Sequence, residues 1–203
     1  MKHRYGVITR APQIVAFILS LSISLAASAD AFDDAFDYYQ AGNYQAAFAG
    51  FKPLADQGDA EAQYNLGVMY VKGQGVPQDY KQAEAWTRKA ADQGYAQAQY
   101  NLAVKYRDGQ GVPQDYKQAV AWFRKAADQS SAEAQYNLGV MYIKGQGVPQ
   151  DYKQAEAWTR KAADQSLPNA QYNLGVMYRD GKGVPQDYVQ AHMWWNLAAV
   201  SGM

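Results

Sequence analysis

The sequence has no cysteine. This absence excludes disulfide bonds, thiol catalysis, thiolate metal sites and a lipid-modified N-terminal cysteine. Histidine is almost absent as well, with two residues in 203, and the motifs Ser-x-x-Lys, Gly-x-Ser-x-Gly and His-Glu-x-x-His do not occur. Because catalysis needs convergent acid, base or nucleophilic groups, the sequence predicts no enzyme, no cofactor and no metal. His192 is interpreted as a solvated helix residue.

An excess of charge of either sign is also missing. The chain has 19 basic and 19 acidic residues, so its formal net charge is zero. Removal of residues 1–29, which contain three of the basic residues and no acidic one, would leave a net charge of −3. A nucleic-acid-binding protein needs a clustered basic face. No nucleic-acid partner is therefore expected.

The N-terminal segment has the features of a secretory signal peptide. A basic start is followed by an apolar stretch, Ile14 to Leu25, and by the small residues Ala27-Ser28-Ala29. This order is typical of a leader that signal peptidase removes, and the apolar stretch is shorter than the ~20 residues of a permanent membrane helix. We expect cleavage after Ala29 and a periplasmic or secreted protein. An uncleaved membrane anchor is the alternative.

What dominates the rest of the sequence is a repeat with a period of 36 residues. The string Val-Pro-Gln-Asp-Tyr begins at Val76, Val112, Val148 and Val184. A period of this length indicates stacked supersecondary units. The predicted segments are a signal peptide (1–29), a degenerate leading helix pair (30–58) and four repeats (59–94, 95–130, 131–166 and 167–203).

Each copy predicts two helices. The first, helix A, runs from about Ala60 to Lys72, with Asp59 as N-cap and Gly73 at its end. The second, helix B, begins after Asp79, which has the capping-box spacing to Gln82. Helix A is apolar on two opposite sides, so it must lie between neighbouring helices. This pattern predicts an all-α solenoid in which each repeat is buried against the next.

These residues resemble the Sel-1-like repeat, a relative of the tetratricopeptide repeat. The resemblance implies a right-handed superhelix of antiparallel helix pairs, with helix A lining the concave face, and a role as adaptor in complex assembly, envelope signalling or host contact. Some cysteine-rich members of this family have a β-lactamase label, with a disulfide in each repeat, which this chain lacks. The residues that carry the resemblance are Leu66-Gly67-Val68-Met69-Tyr70, Gly73-x-Gly75-Val76, Asp79, Ala83-x-x-Trp86 and Lys89-Ala90-Ala91.

The function expected from this resemblance is a protein-interaction scaffold, with a peptidoglycan-fragment-binding or β-lactamase-like envelope protein as the alternative. An asparagine recurs on helix A and could pair with the backbone of an extended peptide. It could equally form a hydrogen bond with the loop of a neighbouring repeat, since half-buried amides usually serve local partners. These residues are Asn65, Asn101, Asn137 and Asn173.

Positions that vary between copies are further candidates for partner contacts, with drift on a solvated face as the alternative. The first three series are Met69/Lys105, Val71/Arg107/Ile143/Arg179 and Lys72/Asp108/Lys144/Asp180. The fourth is Thr87/Phe123/Thr159/Trp195. Lys105, Arg107, Arg179 and Trp195 are the residues selected from them. They are predicted to lie away from the packing that all copies share.

The last helix B gains apolar residues where its siblings are polar, including Val189, Met193, Trp195 and Leu197. An exposed patch with two tryptophans, Trp194 and Trp195, often marks an interface. Self-association through this helix, or binding of the partner there, is the resulting hypothesis. The alternatives are a truncated coding sequence and tryptophan rings that fold back onto the third repeat.

Overall fold

The computed structural model describes residues 30–202, which form ten helices and no strand. None of these helices is long and apolar enough to span a lipid bilayer. The helices of the leading unit and the first two repeats are α1 (30–40), α2 (Tyr44–Asp56), α3 (Ala60–Lys72), α4 (Tyr80–Asp92), α5 (Ala96–Asp108) and α6 (Tyr116–Asp128). Those of the last two repeats are α7 (Ala132–Lys144), α8 (Tyr152–Asp164), α9 (Pro168–Asp180) and α10 (Tyr188–Val200).

The helices stack in sequence order. Helices A and B of one repeat pack together as α3/α4, α5/α6, α7/α8 and α9/α10, and each of α2, α4, α6 and α8 also packs on the helix A that follows it. The leucine of helix A is fully buried in every copy, at Leu66, Leu102, Leu138 and Leu174. The predicted all-α solenoid of helix pairs is confirmed. The predicted signal peptide lies outside the described residues.

Helix B begins where an aspartate caps it, but the predicted capping box is only half formed. Asp79 Oδ1 accepts hydrogen bonds from the backbone N–H groups of Lys81 and Gln82, at 2.9 and 3.0 Å. The Asp79 N–H donates to the carbonyl of Tyr70 at 3.1 Å, so it is not available to the Gln82 side chain. The reciprocal bond of the capping box was therefore wrongly predicted. The Tyr70 contact ties the start of helix B to helix A of the same repeat.

Neighbouring repeats approach at a glycine. Gly147 has φ +73°, and a Cβ at this position would collide with the backbone carbonyl of Tyr116 in the preceding repeat. Gly75 and Gly183 approach the carbonyls of Tyr44 and Tyr152 in the same way. These contacts explain the second glycine of the loop in three of the four copies, since a side chain there would separate the repeats.

In the first three repeats a buried glutamine of helix A is bonded to an exposed glutamine at the end of helix B, and we call these pairs the glutamine relay. In the third repeat, Gln135 is 4% exposed, and its Nε2 donates to the carbonyl of Ala127 at 3.1 Å. Gln165 Nε2 donates to Gln135 Oε1 at 2.8 Å. Both amide ends of the buried side chain are thus satisfied, as buried polar groups require. The equivalent pairs are Gln93–Gln63 at 2.8 Å and Gln129–Gln99 at 2.9 Å.

Candidate binding surface on helix A

The asparagine row lies along the half-buried side of α3, α5, α7 and α9. We call the exposed and half-buried residues of these four helices the helix-A surface. Asn101 Nδ2 donates to the hydroxyl of Tyr64 in the preceding repeat at 3.2 Å, and Asn173 donates to Tyr136 at 3.4 Å. Asn65 and Asn137 donate instead to the carbonyl four residues earlier in their own helices, at 3.0 and 2.8 Å.

The expected hydrogen bond from each asparagine to a neighbouring loop was therefore wrong. The amides have local partners, but these are a tyrosine hydroxyl or the helix backbone. The bonds alternate from copy to copy.

Arg107 spans the junction between the second and third repeats. Its Nη1 donates to Asn137 Oδ1 at 2.5 Å, and its Nε donates to Asp108 Oδ1 at 2.7 Å. The hydrogen bonds from Arg107 lower the pKa of Asp108. Arg179, which occupies the same place in the fourth repeat, is exposed and pairs with Asp180 at 2.7 Å. Both arginines thus lie on the helix-A surface, as predicted.

An aromatic cluster lies at the junction of the first and second repeats. The rings of Tyr64 and Tyr95 are 5.2 Å apart, and the Tyr95 hydroxyl donates to Glu61 Oε1 at 3.3 Å. Burial, together with the negative charge of Glu61, raises the pKa of Tyr95 to about 12. Tyr95 is replaced by Ser131 and Leu167 in the next copies, so this cluster distinguishes one junction from the others.

Two of the four variable series are not on the surface, which corrects the prediction that they avoid the shared packing. Met69, Met141 and Met177 are at most 3% exposed, and Thr87, Phe123 and Thr159 are at most 6% exposed. The Thr87 series lies between the two helices of one repeat and faces a small residue on helix A. A Cβ on Gly67 would lie 2.6 Å from Thr87 Oγ1, and one on Gly175 would lie 2.5 Å from Trp195 Nε1.

Trp195 is therefore not part of an exposed patch. Its ring is half-buried against helix A of its own repeat, and its Nε1 donates to the carbonyl of Tyr172 at 3.2 Å. Trp194 is 7% exposed. The prediction of an exposed surface with two tryptophans was wrong, because large apolar rings pack into any cleft that a neighbouring glycine leaves open.

Lys105 occupies a place that is core in the other copies. It is half-buried, and burial, only partly offset by the nearby Glu84 carboxylate, lowers its pKa. The junction between the first and second repeats, where Lys105 lies, also differs in its loop: nothing lies within 4 Å of the Cβ position of Gly111. The contact that Gly75, Gly147 and Gly183 make is lost there, and Tyr80 is left 64% exposed. A lysine in a methionine position thus coincides with the loosest junction.

A pocket of about 240 Å³ lies between the third and fourth repeats. Its apolar residues come from helix A of both repeats, and its polar residues include two lysines and no acidic residue. The size suits a side chain better than a whole small-molecule ligand, whose sites usually begin at about 300 Å³. The lining residues are Val140, Ile143, Lys144, Tyr152, Asn173, Val176, Met177 and Lys182.

Four segments of the chain match the Sel1 repeat: residues 60–95, 96–131, 132–167 and 168–202. A Sel1 repeat protein from Oxalobacter formigenes is 34% identical over 83% of this chain and 70% of its own, with a TM-score of 0.78. A protective antigen of uropathogenic Escherichia coli strains, which displays an SLR fold, is 44% identical over 77% of this chain, with a TM-score of 0.74.

The present chain spans only 33% of the length of that antigen chain. An immunity protein from Pseudomonas aeruginosa is 24% identical over 84% of this chain and 66% of its own, with a TM-score of 0.53, and shares the fold. Comparison with curated protein sequences gives no match.

We expect Lys105→Met to stabilise the protein by about 1 kcal/mol, because it restores the residue of the other three copies and removes a poorly hydrated charge. Since the folded state lowers the pKa of Lys105, the gain should be full at neutral pH. It should shrink as the pH rises through that lowered pKa, where the lysine becomes neutral. Urea unfolding at several pH values measures this, and Met141→Lys, the reverse change in the third repeat, should destabilise. An unchanged or lowered stability of Lys105→Met would contradict the assignment of Lys105 to a core position.

Proposed function

Because the chain belongs to the Sel1 repeat family, we propose that it is an exported adaptor that binds another protein along its helix-A surface. Sel1 repeat proteins generally bind proteins, and the family is generally non-enzymatic. Solenoids present long surfaces for such binding. On this proposal the chain acts by recognition and not by catalysis. The side chains of the helix-A surface then determine which protein it binds.

The observation that carries this proposal is the distribution of variation. Most core residues are the same in all copies, and the core positions that do vary, those of Met69 and Thr87, stay buried or half-buried. The two successive positions at the end of helix A, by contrast, change both size and charge while remaining at the surface. Variation at exposed positions on a constant scaffold is what a recognition surface requires, because these changes cost little stability. The two series are Val71, Arg107, Ile143, Arg179 and Lys72, Asp108, Lys144, Asp180.

A charge-reversal pair tests this surface. We expect the tagged protein to enrich a specific protein from envelope extract, and the double variant Arg107→Glu/Arg179→Glu to lose it, because like charges at an interface oppose association. The matched control is Lys117→Glu/Lys153→Glu, which makes the same change of charge at exposed positions of helix B. Circular dichroism verifies that all proteins fold.

Equal loss in both variants, or none in either, would contradict recognition through helix A. Retention on cell-wall sacculi with no protein enriched would support the glycan-binding alternative instead.

Export is proposed on the leader features of residues 1–29, and it agrees with the similarity to a protective antigen, a type of protein that the immune system reaches. We expect N-terminal sequencing of the protein isolated from its native cells to begin at Asp30, since signal peptidase cuts after a small-x-small site. Intact protein that begins at Met1 in the cytoplasm would contradict export.

The last helix supports a second, homotypic contact, although not through Trp195. Its outer face has an apolar stripe in which Val189 and Val200 are 77% and 88% exposed and Met193 and Leu197 are 40% and 42% exposed. The equivalent positions of α8 are exposed even though another repeat follows that helix; they are Lys153, Ala157, Lys161 and Asp164. The stripe therefore belongs to the outer surface of the array.

A second copy suits this stripe better than a lipid surface. The helix Tyr188–Val200 contains no acidic residue, lysine or arginine, whereas helices that lie on membranes usually have basic residues beside the apolar face. Two copies of α10 can bury their stripes against each other without meeting a charge.

We expect analytical ultracentrifugation to show a dimer that Val189→Lys/Leu197→Lys converts to monomer. These substitutions restore the residues of the other three repeats, so the fold should tolerate them, while two buried charges would oppose pairing. The control Lys153→Val should leave the oligomeric state unchanged. A monomeric parent protein at micromolar concentrations would refute the contact.

A further inference from the structure

The pocket between the third and fourth repeats differs from the preceding junction at three lining positions, where Ile143, Lys144 and Lys182 replace Arg107, Asp108 and Gln146. Between the second and third repeats, the Arg107 side chain extends to Asn137 and bonds to its Oδ1 at 2.5 Å. The equivalent residue at the next junction is Ile143, which lines the pocket beside Asn173, the counterpart of Asn137. Isoleucine cannot donate to an amide oxygen, so the space that Arg107 crosses in one junction is open and apolar in the other.

The polar edge of the pocket is cationic. Lys144 and Lys182 both line it, and no acidic residue does. Lys182 Nζ is 3.5 Å from Asp180, but the same carboxylate is 2.7 Å from Arg179 Nε, so it is shared between two cations. Lys182 also lies 5.9 Å from the ring centre of Tyr152. Lys144 has no ion-pair partner among residues 30–202.

Asn173 adds a polar group to the same edge. Its Nδ2 is used by Tyr136 at 3.4 Å, whereas Oδ1, which accepts from Arg107 in the preceding junction, has no donor among the described residues. An extended peptide that crosses the helix-A surface could donate a backbone N–H to this oxygen. The pocket thus combines an apolar cavity, a side-chain oxygen that can accept a backbone N–H, and two cations.

We propose that this pocket anchors an extended segment of the partner in which an apolar side chain is flanked by Asp or Glu. The apolar side chain enters among Val140, Ile143 and Val176, where its burial is favourable. The flanking carboxylates pair with Lys144 and Lys182, which fixes the register of the segment and accelerates its encounter. This inference rests on the proposed function and names the chemistry that one junction recognises.

The only isoleucine in residues 30–203 is Ile143. Isoleucine δ1-methyl labelling therefore places one NMR probe in the pocket. In the full chain, which has further isoleucines in residues 1–29, the resonance that disappears in Ile143→Val is that of Ile143. The ligands are three synthetic peptides of equal length, with Glu-Leu-Glu, Lys-Leu-Lys or Glu-Ser-Glu at the centre and glycine-serine flanks.

We expect a saturable shift of the Ile143 methyl resonance with the Glu-Leu-Glu peptide only. Lys144→Gln/Lys182→Gln should weaken its binding about fivefold, since exposed ion pairs contribute modestly. The variant Ile143→Arg, tested by backbone amide shifts of Asn173 and Val176, should abolish binding by giving this junction the residue of the preceding one. The matched control Val71→Arg makes a similar change at the first repeat and should bind normally.

Equal shifts with the Lys-Leu-Lys or Glu-Ser-Glu peptides, or no saturable shift with any peptide, would overturn the proposal. The partner found by pull-down separates this outcome from failure of the scaffold function. If Ile143→Arg retains that partner while Arg107→Glu/Arg179→Glu loses it, the helix-A surface functions and the pocket inference alone is wrong.

Discussion

The buried amide of the glutamine relay is the constraint on which the array depends. A buried amide without partners costs about 1–3 kcal/mol, and Gln135 satisfies both ends only when Ala127 and Gln165 hold their places. One of its partners belongs to the repeat before it and the other to the end of its own helix B. The relay therefore fixes each of the first three repeats against its neighbour in one register, which apolar packing alone does not specify; in the fourth repeat Gln171 Oε1 has no partner among the described residues.

The relay and the glycine contacts together explain where the repeats can differ. Gly147 brings the loop of one repeat onto the backbone of the preceding one, at the carbonyl of Tyr116, so a side chain cannot be added at Gly147 without moving the repeats apart. Core positions can still vary, as where Thr87 faces Gly67 and Trp195 faces Gly175. Lys105 is the one charged residue in these core series, and its junction has lost the loop contact at Gly111. The ends of helix A vary at the surface between the repeats, which is where we place recognition.

The parts of the fold that could be predicted are those with local causes. Asp79 caps helix B and Gly73 ends helix A. Both were correctly predicted, because each acts within one turn of its own helix. Which side chains and backbone groups form hydrogen bonds between repeats could not be predicted in this way. The glutamine relay was missed because glutamine is usually exposed, although the recurrence of Gln63 in all four copies and of Gln93 in the first three was a usable signal. Variation was wrongly equated with exposure for Met69/Lys105 and for Trp195, since core positions can also vary between copies.

The candidate site illustrates why the properties of a solenoid surface belong to its junctions and not to its repeats. The first and third copies are almost identical in sequence, with Val71 and Ile143 in equivalent places. Their environments differ because the copy that follows supplies Lys105 in one case and Met177 in the other. The pocket is thus created by two adjacent copies, since its lining residues come from both and neither copy contains it alone. Specificity can then change through one substitution in a neighbour, such as lysine for methionine, while the helices, the caps and the relay remain as they are.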